Sequence, residues 1–143
     1  MNVDAILKGK GREVLTIPGG TSVASAIDQL TSHNIGALIV SPDGERVDGI
    51  VSERDVVRGL ARHGNRLLAM PVEKVMSKPR TCSREDTLAR VMELMTVSRH
   101  RHLPVVDGGR LRGVISIGDV VKSRLQELVL EVAVLRDAYI ARG

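Results

Sequence analysis

The stretch Gly49-Ile50-Val51-Ser52-Glu53-Arg54-Asp55 returns further along as Gly113-Val114-Ile115-Ser116-Ile117-Gly118-Asp119, and both copies run on into a Val pair, Val56-Val57 and Val120-Val121. Self-similarity of this kind points to a duplicated structural unit. In each copy a β-branched run stops at a Ser, with an Asp three residues beyond it. That spacing matches a capping box, in which hydroxyl and carboxylate take up backbone amides left unpaired at a helix start. Each copy therefore reads as strand, sharp turn, helix. A pair of well-capped helices would account for Ser and Asp alone. The Gly three residues ahead of each Ser adds a second reading, because Gly at a strand end admits a close approach of backbone or ligand.

The repeat extends outward on both sides. Val3, Ile6 and Leu7 suggest a short helix capped by Asn2, followed through Gly9-Lys10-Gly11 by an extended Glu13–Ile17. Pro18-Gly19-Gly20 turns the chain. Val23, Ala26, Ile27 and Leu30 then lie on one helical face behind Thr21 or Ser22 as cap. Residues 36–40 and 47–51 form a hairpin about the turn Ser41-Pro42-Asp43-Gly44, and a helix runs from Ser52 to His63-Gly64. The second half repeats the order. Pro71 is expected as the first residue of a short helix over 72–76, Pro79-Arg80-Thr81-Cys82 as the entering strand, and Leu88, Val91, Met92 and Met95 as the helical face. Residues 103–106 and 111–113 make the second hairpin. His33 and His63 fall at helix ends, where imidazole can meet terminal carbonyls.

Beyond the repeat the pattern changes. Leu125, Leu128, Val132, Leu135 and Tyr139 follow Val121 at spacings of four, three, four, three and four, a heptad seam. Self-association through this helix and packing of the helix on its own domain are both consistent with it.

Composition sets the outer bounds. A chain of 143 residues is one ordinary domain or two small units sharing a core. Its one cysteine, Cys82, permits no intrachain disulfide and no Cys-based zinc site, which fits a reducing cytoplasm. No signal peptide or membrane-length apolar run is read in it. The net charge is +4 and the pI about 9.7, which raises nucleic acid as a partner. The surplus is local, however: residues 1–71 carry eight basic and eight acidic side chains, residues 72–143 thirteen and nine, centred on Arg99-His100-Arg101-His102. With Tyr139 as the single aromatic residue there is no platform for stacking bases. No phosphate loop, His-Glu-x-x-His or Gly-x-Ser-x-Gly motif supports catalysis.

The doubled Gly-x-x-Ser-x-x-Asp, each copy preceded by a strand ending Leu38-Ile39-Val40 or Leu103-Pro104-Val105-Val106, resembles the CBS (cystathionine β-synthase) domain, and the tandem resembles a Bateman module. The resemblance implies an α+β fold: β-α-β-β-α units used twice with pseudo-twofold symmetry, two clefts between them, and here a C-terminal helix in addition. It divides the chain into residues 1–66, 67–124 and 125–143, the last for dimerisation. It implies a non-catalytic regulatory module, a homodimer built through paired modules and the C-terminal helix, sensing an adenosine-containing ligand such as AMP, ADP, ATP or S-adenosylmethionine for an unknown regulated protein. No metal and no required cofactor are implied.

Carried onto this sequence, the resemblance puts Asp55 and Asp119, with Ser52, Ser116, Thr16 and Thr81, at the ribose. Ala37, Ile50, Leu103, Pro104 and Val114 would form an aliphatic slot for adenine. Arg101 and His102 would meet phosphate, with Arg54, Arg58 and Lys122 in support. Arg54 corresponds to Gly118 and Gly36 to His102, so the two clefts differ chemically and a single occupied site is expected, the first cleft being the candidate for a narrow or empty one. The alternatives are a ligand-free structural or protein-interaction dimer and, on pI alone, a nucleic-acid binder.

Overall fold

A computed structural model describes residues 1–10 and 14–142. Gly11 and Glu13, parts of the expected approach and first strand, lie outside the described residues. The elements run α1 (Val3–Lys10), β1 (Thr16–Ile17), α2 (Val23–Ser32), β2 (Ala37–Val40), β3 (Gly49–Ser52), α3 (Glu53–His63), two 3₁₀ segments (Gly64–Ala69, Val72–Lys74), α4 (Leu88–Ser98), β4 (His102–Asp107), β5 (Arg110–Ser116) and α5 (Ile117–Arg142). The fold is α+β, and the order of elements repeats except for the entering strand and the short helix of the second half.

Local chemistry sets the element ends. The Ser22 hydroxyl accepts from the Ser25 amide at 3.1 Å to start α2, and Thr87 does the same for α4 with Arg90. Both Ser-x-x-Asp turns form full capping boxes: Ser52 with Asp55 opens α3, and Ser116 with Asp119 opens α5. In the second hairpin Gly108 and Gly109 take φ of 56° and 76°, which only glycine adopts without strain in a two-residue turn.

β1, β2 and β3 form one sheet, β1 parallel to β2 and β2 antiparallel to β3. β4 and β5 pair antiparallel as the second sheet. The expected strand at Pro79–Cys82 reduces to one parallel bridge, Cys82 to Val105, since Pro79 has no amide to donate. Cys82 is buried, and that burial, with Asp86 and Asp107 nearby, pushes its thiol up to about 12. Pro71 also departs from expectation. It is extended (ψ 146°), bridges to Ser22 and stands outside the turn that follows, which is a single 3₁₀ turn.

The two halves exchange their entering segments. Val3, Ile6 and Leu7 of α1 sit in the core of the second repeat with Leu88, Val91, Leu103 and Ile115. Leu67 and Val72 sit in the core of the first, with Val23, Leu38 and Val51. Backbone bonds fix the exchange, Val3 N–H to the Asp86 carbonyl at 3.0 Å and Val72 N–H to the Thr21 carbonyl at 2.8 Å. A third cluster, Ile39, Ile50 and Leu111 with Ala37 and Val114, joins the sheets between the repeats.

The exchange accounts for the motif glycines. A Cβ on Gly49 would lie 2.5 Å from Met76 Sδ, and one on Gly113 would lie 2.6 Å from Leu7 Cδ2. The close approach that these glycines permit is thus that of a crossing side chain, not of a ligand. Gly113→Ala should therefore cost about 1–3 kcal/mol by overpacking, and clearly less in a Leu7→Ala background, where the crowding atom is gone. Urea unfolding of the two single variants and the double variant measures that coupling; additive losses would contradict it.

Candidate functional site

The first Ser-x-x-Asp turn lies at the floor of a cleft of about 560 Å³. Asp55 is only 6% exposed. Its Oδ2 accepts from the Ser52 amide at 2.9 Å and the Ser52 hydroxyl at 3.0 Å, while Oδ1 accepts from the Ser77 hydroxyl at 2.6 Å. Ser77 arrives there because it bridges Ile50 on the crossing segment. The walls are Gly36, Ile50 and Val57 on the apolar side and Arg54, Arg58, Arg99, His100, Arg101 and His102 on the other. Ion pairs among the described residues occupy other arginines, namely Arg46, Arg84, Arg90, Arg110 and Arg124, which leaves these four guanidiniums uncommitted. Arg54, Arg99 and Arg101 also border an adjoining hollow of about 460 Å³ floored by Met92, Met95 and Val120. The chemistry offered is a buried acceptor, an aliphatic wall and a cluster of cations.

The second turn lies in a smaller cleft of about 390 Å³, lined by Leu15, Ile35, Ala37, Val114, Ser116 and Asp119 among others. Asp119 Oδ2 accepts from the Ser116 amide at 2.9 Å and from Lys10 Nζ at 2.6 Å. Burial opposes ionisation of Asp119, but the Lys10 ammonium and the Ser116 amide outweigh it and hold the carboxyl below its ordinary value. Lys10 also donates to the Val114 carbonyl at 3.0 Å, so this cleft already holds its own cation. Among the described residues no arginine lines it.

Gly36 and His102 border both clefts. They face each other, for a Cβ on Gly36 would lie 3.1 Å from His102 Cε1, so the small residue makes room for the imidazole. Burial, followed by the Lys10 charge, lowers the His102 pKa below the usual histidine value, with Asp119 and Glu53 opposing. The wall between the clefts is therefore an imidazole whose neutral form the fold favours.

The family model for the CBS domain matches residues 11–62 and 72–126. The chain belongs to the CBS domain family. A CBS domain-containing protein from Arabidopsis thaliana, the mitochondrial CBSX3, is 33% identical over 99% of this chain and 72% of its own length. Among solved structures, the CBS-domain containing protein ATU1752 from Agrobacterium tumefaciens superposes with a TM-score of 0.83 at 42% identity, covering 87% of this chain and 99% of that one. The CBS domain protein PAE2072 from Pyrobaculum aerophilum, solved complexed with AMP, gives a TM-score of 0.74 at 25% identity over 83% of this chain and 89% of its own.

Within this CBS pair the expected site residues divide into two groups. Ser52, Asp55, Ile50, Arg54, Arg58, Arg101 and His102 converge on the first cleft, while Ala37, Val114, Ser116, Asp119 and again His102 converge on the second. Arg101 thus serves the Asp55 cleft and does not line the Asp119 cleft. The first cleft has the larger volume of the two, about 560 Å³ against about 390 Å³, contrary to the expectation that it would be narrow. Thr16, Thr81, Leu103, Pro104 and Lys122 line neither. Thr16 Oγ1 faces the Gly44 turn, Thr81 is exposed, and Leu103 and Pro104 are buried in the second repeat. Lys122 stands on an outer apolar groove along α5. Ser77, Lys10, Glu53, Arg99 and His100 join the clefts without having been foreseen. Among the described residues no group of acidic, His or Cys side chains could hold a metal ion.

Because the folded pKa of His102 lies below its unfolded value, the unfolded chain binds the extra proton more tightly. Stability should therefore decline as pH falls from 7 through the ordinary histidine range, and His102→Asn should flatten that decline. Urea midpoints at pH 7.5 and 5.5 for both proteins test this; an unchanged pH dependence in the variant would refute it.

Proposed function

We propose that this CBS pair is a non-catalytic regulatory module that binds an adenosine-containing ligand, AMP being the representative case, in the Asp55 cleft, and that it acts as a homodimeric metabolite sensor in the cytoplasm. The carrying observation is the convergence of the buried Asp55 carboxylate and four uncommitted guanidiniums on one cleft of about 560 Å³. That volume lies in the range of small-molecule sites, roughly 300–1,000 Å³. The lone pairs that Asp55 does not give to Ser52 and Ser77 suit donation from a ribose diol. Ile50 and Gly36 supply an aliphatic wall for the base, and Arg54, Arg58 and Arg101 provide planar donor forks for phosphate. The AMP complex of PAE2072 supports the same ligand class. ATP, ADP and S-adenosylmethionine share the adenosine and belong in the same panel.

The runner-up is a ligand-free interaction dimer, favoured by the exposed apolar seam of α5. A nucleic-acid role has less support, since the basic groups line a cleft and the chain has no Phe and no Trp to stack on bases.

Calorimetric titration tests the proposal. AMP should release or absorb measurable heat, and Arg101→Ala should weaken binding about ten-fold or more, the worth of a charge-assisted contact. Asp55→Asn, which keeps the shape of the helix cap, should weaken it comparably, while Asp119→Asn should have a smaller effect. Absence of heat with AMP, ATP and S-adenosylmethionine alike would sink the sensor reading.

A further inference from the structure

α5 is a single helix of 26 residues, and the boundary near residue 125 falls inside it. It touches the body through Val120, Ser123 and Glu127, the side on which its buried and half-buried residues lie. Every residue from Leu128 to Arg142 is exposed. The heptad positions Val121, Leu125, Leu128, Val132, Leu135 and Tyr139 run along a different side, on which Val121 and Leu125 also border the hollow floored by Met92 and Met95, while Leu135 is 70% and Tyr139 82% exposed. The family match ends at residue 126, so the projecting part is an addition to the CBS pair.

Such an arm does not stand alone in water. Helices of up to about 15 residues are marginal without packing. A compact chain of 15.5 kDa exposes roughly 7,200 Å² by the usual size scaling, whereas this one exposes 9211 Å². The excess, about 2,000 Å², exceeds the roughly 800 Å² that each partner contributes to an ordinary specific interface.

The seam itself states which occupant fits. With Val121, Leu128 and Leu135 at d and Leu125, Val132 and Tyr139 at a, the central layers put Val at a and Leu at d, the combination that favours two parallel strands. Glu131 then falls at g and Arg136 at e, five residues on, which is the pair that meets across a parallel interface. In an antiparallel pairing with the same six layers matched, Glu131 would face Glu131 and Lys122 would face Arg136, both like-charge contacts.

We propose that residues 121–139 of α5 pair with the same residues of a second copy of this chain as a parallel, in-register, two-stranded coiled coil, Glu131 of each helix facing Arg136 of the other. This stands independently of any ligand in the clefts. It places both CBS pairs at the same end of the coil.

The test is Leu135→Cys in the full-length chain, where native Cys82 is 4% exposed and unsuited to cross-linking. Mild oxidation at micromolar concentration should give a covalent dimer on a non-reducing gel. An antiparallel coil pairs residue 135 with 125, so a dimer seen only in the Leu125→Cys, Leu135→Cys double variant would overturn the proposal. Failure of both to cross-link would also overturn it and leave the seam to a different partner. Arg136→Glu in the Leu135→Cys background should raise the concentration for half cross-linking about ten-fold, and adding Glu131→Lys should restore it. A decrease with Arg136→Glu alone, from new attraction to Lys122, would count against the parallel arrangement.

Discussion

Leu7 resting on Gly113 and Met76 resting on Gly49 are the contacts on which the rest of the molecule depends. Through them each half completes its core with a segment that belongs, by sequence, to the other. The halves cannot separate without opening both cores, so the clefts between them are bounded by one continuous packed body. The same crossing also delivers the partners of the two carboxylates. The segment that carries Met76 continues to Ser77, which bonds Asp55, and the helix that carries Leu7 continues to Lys10, which pairs with Asp119.

That difference in partner, hydroxyl against ammonium, sets the chemistry of the two clefts. Lys10 neutralises Asp119 within the second cleft and raises the electrostatic cost of a proton on His102. Ser77 brings no cation to Asp55, so in the first cleft the cations are the arginines of the rim. Two arginines of the basic second half, Arg99 and Arg101, thus line a cleft whose carboxylate belongs to the first half.

Much of this was legible in the sequence because it is local. Capping boxes act within four residues, helical faces within eight, and the paired turns Ser41–Gly44 and Asp107–Arg110 within four, so their residue types specify them directly. The doubled Ser-x-x-Asp turn likewise announced both clefts and the residues that follow it at their floors. What the sequence did not disclose was non-local. Lys10 and Asp119 lie 109 positions apart, and nothing about a lysine in a Gly-Lys-Gly segment marks it as half of an ion pair. Thr16 and Thr81 match by position in the repeat, yet a strand side chain points to one face or the other according to register, and these two point away. Pro71 and Pro79 misled separately: Pro71 was read as helical where the crossing segment runs extended to bridge Ser22, and Pro79 was read as part of a strand although it has no amide to pair.

The C-terminal helix is the one element whose stability the fold does not supply. Its first turn is anchored by the Ser116–Asp119 box and by the Ile117 amide on the Arg101 carbonyl at 2.8 Å. From that root it extends about 39 Å at 1.5 Å per residue. The anchor touches both sites at once, for Arg101 borders the first cleft and Asp119 the second. Because no break interrupts the helix between root and tip, the direction of the seam is fixed by the same backbone that shapes the cleft walls. A helix that were merely a tail would need only polar residues beyond its last body contact at Glu127. Placing Leu, Val and Tyr at heptad positions there exposes apolar surface that water penalises at about 25 cal/mol per Å², a cost that covering the seam removes.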